Sequence, residues 1–318
     1  MTVTEDGSER PQGDGAGLRG GTVVHAGEVD GSPPPRRDRE PARLATAQGL
    51  QALALLIVWI FAYLGFLSGF EHAHHQSALY DDVRTQLALG EAPTGAPIEP
   101  GTALGVVSIP SIGLDNEVFV EGTRNEQLQM GPGHVYGSVL PGQQGTSFLA
   151  GRSLTFGAPF RHVADLKKGS VVRVTTANGT FSYRVEGVRR QGDPAPAALP
   201  AGAGRLTLVT SHRDGGPLGA VRPSDTVYVD ALVPQGAATA GAVGTVDPGA
   251  TYLSAHVDTA TLAQLVLSLQ MFGVVVVACA WGWNRWNRVA VWIVGTPAVI
   301  ASLWVATSLA SRLLPGLF

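Results

Sequence analysis

The residues best suited to covalent chemistry sit side by side in one short stretch, "GRLTLVTSHRDGG" at 204–216. Leu206-Thr207-Leu208-Val209-Thr210 has the composition of a β-strand, which would deliver Ser211 and His212 to its end. A serine hydroxyl becomes a useful nucleophile only when an adjacent base takes its proton. His212 is the nearest base in sequence, but neighbouring strand residues point to opposite faces, so it reaches Ser211 only where the strand ends or twists. His134 and His162 are the other candidates. His134 lies in a "GPGH" turn and reads as structural, whereas His162 follows a "GAPF" loop and is placed to line a groove. Thiol chemistry has no carrier here, because the one cysteine, Cys279, falls in a long apolar run far from Ser211.

A scaffold of short strands must position these residues. Between 104 and 233 the chain alternates β-like runs with Gly and Pro. Strands are predicted at 104–110, 116–121, 146–151, 170–177, 180–190, 205–211 and 226–233. Asn178-Gly179 is a strong hairpin signal, and it explains the Asn178-Gly179-Thr180 triplet more simply than glycosylation does. "TRNEQLQM" has room for one or two helical turns. Many short strands in about 130 residues predict a compact, mostly antiparallel barrel.

Three uncharged apolar runs flank this region, at 47–70, 261–283 and 289–311, each long enough to cross a bilayer. Arg36, Arg37, Arg39 and Arg43 precede the first run, and Arg285 and Arg288 sit in the turn 284–288 between the last two. Positive charge marks the cytoplasmic side, so the expectation is a multi-pass membrane protein with a cytoplasmic N-terminus. The region between the first two runs and the C-terminus are then extracytoplasmic, and Trp281, Trp283 and Trp286 lie at the inner interface. Residues 1–46 are too poor in apolar side chains to fold and are expected to be a disordered tail, with "SPPPRR" as linker. Residues 71–103 are expected to be a stalk with His72, His74 and His75 solvated, and 234–260 a flexible Gly/Ala-rich linker. A formal charge of -3 gives no basis for nucleic-acid binding.

The order "SIPSIGLDNEVFVEGT", "GPGHVYGSVLPGQQGTSFLAGRSLTFGAPFRHVADLKKGSVVRV" and "RLTLVTS" resembles the extracytoplasmic sortases of Gram-positive bacteria. It is most similar to the actinobacterial class E-like members, over roughly 104–233. That resemblance implies a mostly β fold, a sortase-type eight-stranded β-barrel, here with three transmembrane α-helices outside it. It also implies a transpeptidase that cuts a sorting signal in a secreted protein and joins the new end to an amine. In the family a His follows "LAG", a Cys follows "TLVT" and an Arg opens the last strand. The matching positions here hold Arg152, Ser211 and Thr226. A guanidinium stays protonated and cannot act as the base, and loss of the arginine removes a cation that would stabilise an oxyanion.

The expectation is therefore a membrane-anchored pseudo-enzyme whose barrel binds or scaffolds cell-surface partners, without cofactor or metal. Arg152, His162, Ser211, His212 and Arg222 are the candidate groove-lining residues, Arg222 as a replacement cation and Arg152 as a carboxylate ligand or a structural ion pair. Two alternatives stand beside it. One is an active transpeptidase or hydrolase with Ser211 as nucleophile, acting on cell-wall-sorted proteins. The other is a membrane assembly subunit acting through its helices, with Gly295, Ala298 and Ala301 around Pro297 as the contact face and Gln264 and Gln270 as hydrogen-bonding groups.

Overall fold

The fold is taken from a computed structural model that describes residues 40–63, 67–212, 225–244, 259–285, 288–311 and 317. Residues 1–39 of the expected tail, residues 245–258 of the expected linker, Trp286 and Arg222 lie outside the described residues. The chain divides into two compact units, Met1–Ala52 and Leu53–Phe318, and the barrel belongs to the second.

Among the described residues, eight strands form it: β1 (Ala103–Ile109), β2 (Leu114–Glu121), β3 (Gly133–His134), β4 (Gly145–Ala150), β5 (Val171–Thr176), β6 (Gly179–Arg190), β7 (Gly204–His212) and β8 (Asp225–Val233). They close in the order β1-β2-β3-β4-β7-β8-β6-β5, with β5 returning to β1. The β2–β3 and β4–β7 pairs are parallel and the others antiparallel. Strand alternation sends Leu149, Leu206, Leu208, Val227 and Val229 into a core with Phe119, Phe160 and Tyr183. Closure leaves no open edge, which is how a small antiparallel sheet avoids pairing with other chains.

Seven of these strands follow the sequence pattern, while β3 is two residues long and too short to show a period. Its place depends on Gly133, where a Cβ would meet the Gly122 carbonyl oxygen at 2.1 Å. Asn178-Gly179 does mark a hairpin, with a shifted geometry. The connection is Ala177-Asn178, Thr176 pairs with Gly179, and only Gly179 has positive φ, at 119°. The turn is thus not the doubly left-handed type usually read from Asn-Gly.

The early part of the expected stalk belongs to α2 (Ser68–Leu89), which docks on the barrel through Val83 against Ala103 and Val118. Its Gln76 behaves like an extra peptide group. The side-chain amide donates to the Val118 and Met130 carbonyls at 2.9 and 2.7 Å and accepts from the Val118 N–H at 2.8 Å. The expectation of a solvated His72 is corrected: it is buried, and its Nε2 lies 2.8 Å from Glu117 on β2. His74 is exposed, and no metal-binding cluster occurs among the described residues.

The expectation of three spanning helices is also corrected. Two described helices are long and apolar enough to cross a membrane, α4 (Thr259–Arg285) and α5 (Arg288–Ser311). The first apolar run contributes the end of α1 (Glu40–Ala62), of which Leu53–Ala62 is a shorter apolar helix, and residues 64–66 lie outside the described set. Ser68–Phe70 already belong to α2, whose next residues carry Glu71 and the buried His72. α4 and α5 pack through Gly295, where a Cβ would come 2.8 Å from Cys279 Sγ. Gly295 is therefore used within this pair, whereas Pro297 and Ala301 face outward. Trp59 reaches α5 by donating to the Thr307 hydroxyl at 3.0 Å. The first part of the expected linker is pinned to the barrel, with Ala238 exchanging backbone hydrogen bonds with Gln144 and Gly142 at 2.8 Å.

Candidate functional site

Register places Ser211 opposite Thr226, and Arg152 just beyond β4. Ala150 of β4 is level with Val209 of the parallel β7, and Arg152 and Ser211 each follow that pair by two residues. The junction is held by the Gly151 N–H donating to the Val209 carbonyl at 2.9 Å and by Thr210 Oγ1 donating to the Gly151 carbonyl at 3.0 Å. On the other side β8 runs antiparallel and sets Thr226 directly opposite Ser211. Alternation fixes the face: Leu149, Leu208 and Val227 point inward, so Phe148, Ala150, Val209 and Tyr228 line the outer face, and Ser211 and Thr226 continue that parity. The helix α3 (Asn125–Met130) lies over this face and inserts Leu128.

Arg152 does not project into open solvent. It is completely buried. Its Nε donates to the Leu128 carbonyl at 3.1 Å, Nη1 to Thr155 Oγ1 at 3.1 Å and Nη2 to the Asn125 carbonyl at 3.4 Å. The guanidinium carbon lies 5.0 Å from the centre of the Phe156 ring. A helix of six residues leaves most of its carbonyls without intrahelical donors, and Arg152 supplies donors to two of them, those of Leu128 and Asn125. Desolvation pushes its pKa down to about 10, so it remains a cation at neutral pH. Gly151 permits this placement, because a Cβ there would meet the Phe160 ring at 2.4 Å.

Ser211 is buried as well, and its hydroxyl meets two groups. Ser153 Oγ lies 2.6 Å away, and Ser211 Oγ donates to the carbonyl of Leu317 at 2.8 Å. The same carbonyl accepts from the Ser153 N–H and from Ser153 Oγ, each at 3.2 Å. Leu317 packs its side chain against Leu128, Ala150 and Val209. Neither neighbour of Ser211 Oγ can take its proton, since a carbonyl and a second hydroxyl are both far weaker bases than an imidazole.

The histidines lie elsewhere. His134 is buried in β3, with Nδ1 2.8 Å from Glu121 Oε2 and Nε2 3.0 Å from the Val139 carbonyl. Ser138 Oγ is 2.9 Å from that Nε2, which gives the outline of a serine–histidine–carboxylate set. Ser138 Oγ donates instead to the Val135 carbonyl at 2.8 Å, so its proton is directed away from that imidazole. His162 is exposed, 3.1 Å from Asp165, and borders a cavity of about 200 Å³ with Ile112, Leu114 and Arg161. That cavity does not include Ser211. The backbone of His212 pairs with Asp225, and Arg222 lies outside the described residues.

Sequence reasoning missed Ser153, Thr155 and Leu317. Ser153 immediately follows Arg152 and carried no motif of its own. Leu317 lies 106 residues from Ser211 and reaches it only through the tertiary fold.

The family model described as Sortase domain matches residues 107–231. Sortase D of Bacillus subtilis (strain 168) is 34% identical over 87 residues, which is 27% of this chain and 42% of that protein. The chain thus spans less than half the length of this curated relative. Among solved structures, a Sortase D5 transpeptidase from Clostridium perfringens is 19% identical, with TM-score 0.39, over 50% of this chain and 99% of that one. A sortase E mutant from Streptomyces avermitilis is 27% identical, with TM-score 0.34, over 43% of this chain and 93% of that one. The match to the Sortase domain model covers the greater part of the closed barrel.

Proposed function

We propose that this chain is a membrane-anchored, multi-pass protein whose sortase domain lies outside the cytoplasmic membrane and holds extended protein segments without cutting them. Its partners are then cell-surface or cell-wall-sorted proteins, met by the outer face of β4 and β7. The observation that carries this reading is the pairing of the Ser211 hydroxyl with Ser153 and a carbonyl, beside an Arg152 engaged in holding α3. A nucleophile needs a base, and the position next to Ser211 holds a cation instead. The membrane arrangement is supported by the two apolar helices between the barrel and Leu317. Two crossings return the chain to the side it left, so the contact of Leu317 with the barrel requires no further crossing.

The test uses the full chain in detergent with a panel of sorting-signal peptides and an amine acceptor, followed by mass spectrometry. No cleaved or transferred product is expected. Product that disappears in Ser211→Ala would overturn the reading.

One observation favours a second reading. The Ser153 N–H donates to the Leu317 carbonyl oxygen while Ser211 Oγ lies against the same carbonyl, as an oxyanion donor and a nucleophile would. A Ser211-dependent hydrolase follows from that geometry if a base reaches the hydroxyl when the site rearranges, and the same peptide assay decides between the two.

A further inference from the structure

We infer that the outer face of β4 and β7 is a docking site for the chain's own Leu317. The site is closed in cis, and it opens to other extended segments only when Leu317 leaves. This deepens the binding role proposed above by naming what covers the site, and its geometry is the same whether or not Ser211 reacts.

Three observations converge on it. The Leu317 side chain is 5% exposed and completes an apolar patch with Leu128, Ala150 and Val209, all three fully buried. A patch of this kind, with α3 on one side and the barrel on the other, suits a branched aliphatic side chain. Second, the Leu317 carbonyl is met by two hydroxyls and a backbone N–H, from Ser211 and Ser153. The two hydroxyls sit 2.6 Å apart, so one proton can be shared between them while the other is aimed at the carbonyl. Side-chain packing and a carbonyl cradle together specify a residue of a peptide backbone. Third, the occupant is tethered: Leu317 follows the last residue of α5, Ser311, by six positions, an extended reach of about 20 Å. A short tether holds its end at an effective concentration of order millimolar. An outside segment must compete with that, so it binds more weakly than the site's own chemistry would allow.

The experiment uses the full chain in detergent and two readouts that do not depend on activity. Hydrogen exchange of the Ser153 amide is compared between the native chain and Leu317→Asp, which places a charge in the apolar patch. At least a tenfold faster exchange in Leu317→Asp is expected, because the carbonyl that accepts from that amide is withdrawn; unchanged exchange overturns the inference. The second readout needs no disruptive substitution at the carbonyl. In a Cys279→Ala background, Leu128→Cys and Leu317→Cys are combined and mildly oxidised. An intrachain disulfide is expected. Absence of the bond, or a bond formed only between chains when the two single variants are mixed, contradicts docking in cis. Peptide cleavage by Leu317→Asp would sink the proposed non-catalytic role and leave the docking result standing.

Discussion

Ser153 Oγ and Ser211 Oγ lie 2.6 Å apart, and both point at the carbonyl oxygen of Leu317. Two hydroxyl protons thus serve three contacts, which makes the arrangement a hydrogen-bonding cradle around one carbonyl oxygen. Its stability should depend little on either hydroxyl alone. Ser211→Ala leaves the carbonyl with its Ser153 donors, so a loss of about 1 kcal/mol is expected, measured by chemical denaturation of the full chain.

Arg152 should matter far more to folding than Ser211 does. Arg152→His leaves the Leu128 and Asn125 carbonyls and the Thr155 hydroxyl short of donors under α3. Stranded buried acceptors cost about 1–3 kcal/mol each where water cannot reach. The variant is expected to be destabilised by about 2–4 kcal/mol in a denaturation curve, with faster proteolysis around 123–132. An unchanged midpoint would show that α3 does not need the guanidinium.

Gln76 ties α2 to the edge of β2 by three hydrogen bonds. Gln76→Ala should cost about 2 kcal/mol and accelerate exchange of the Val118 amide, whose acceptor is removed. Gln76→Glu keeps one acceptor and loses the donors to Val118 and Met130, so it should do no better.

Tyr183 gives a pH signature. It is fully buried, its hydroxyl accepts from the Gly142 N–H at 2.6 Å, and burial pushes its pKa up to about 12. Between pH 10 and 12 the unfolded chain loses this proton while the folded chain keeps it. Stability from this group is therefore complete below about pH 10 and is lost as pH rises through 12, at up to about 1.4 kcal/mol per pH unit. Tyr183→Phe is expected to be about 1 kcal/mol less stable at pH 7, through loss of the hydrogen bond, and to decline less steeply between pH 10 and 12. Parallel slopes for the two proteins in urea titrations at these pH values would contradict the assignment.

Much of the barrel could be read before any coordinates, because two-residue alternation and Gly or Pro at the ends are local signals. The two-residue β3 has no period to read, and its position depends on Gly133 passing close to Gly122. Thr226 comes opposite Ser211 through the antiparallel β7–β8 register, and Arg152 follows β4, whose parallel pairing with β7 no local pattern announces. His72 looked solvated because its neighbours in α2 are polar, and its partner Glu117 lies on another element. The apolar run at 47–70 read as one span by composition, yet its last residues belong to the helix that docks on the barrel. Leu317 had no signal at all, since its significance comes from the chain returning to the site.

The most direct test of a chemically silent Ser211 is its reaction with a fluorophosphonate, followed by intact mass. The native chain and Leu317→Asp are treated side by side, so that a covered site and an unreactive serine give different patterns. No adduct at Ser211 in either protein is the predicted result. An adduct that forms in Leu317→Asp and vanishes in the Ser211→Ala double variant would mean that a base does reach this hydroxyl, and the site would have to be described as an enzyme's.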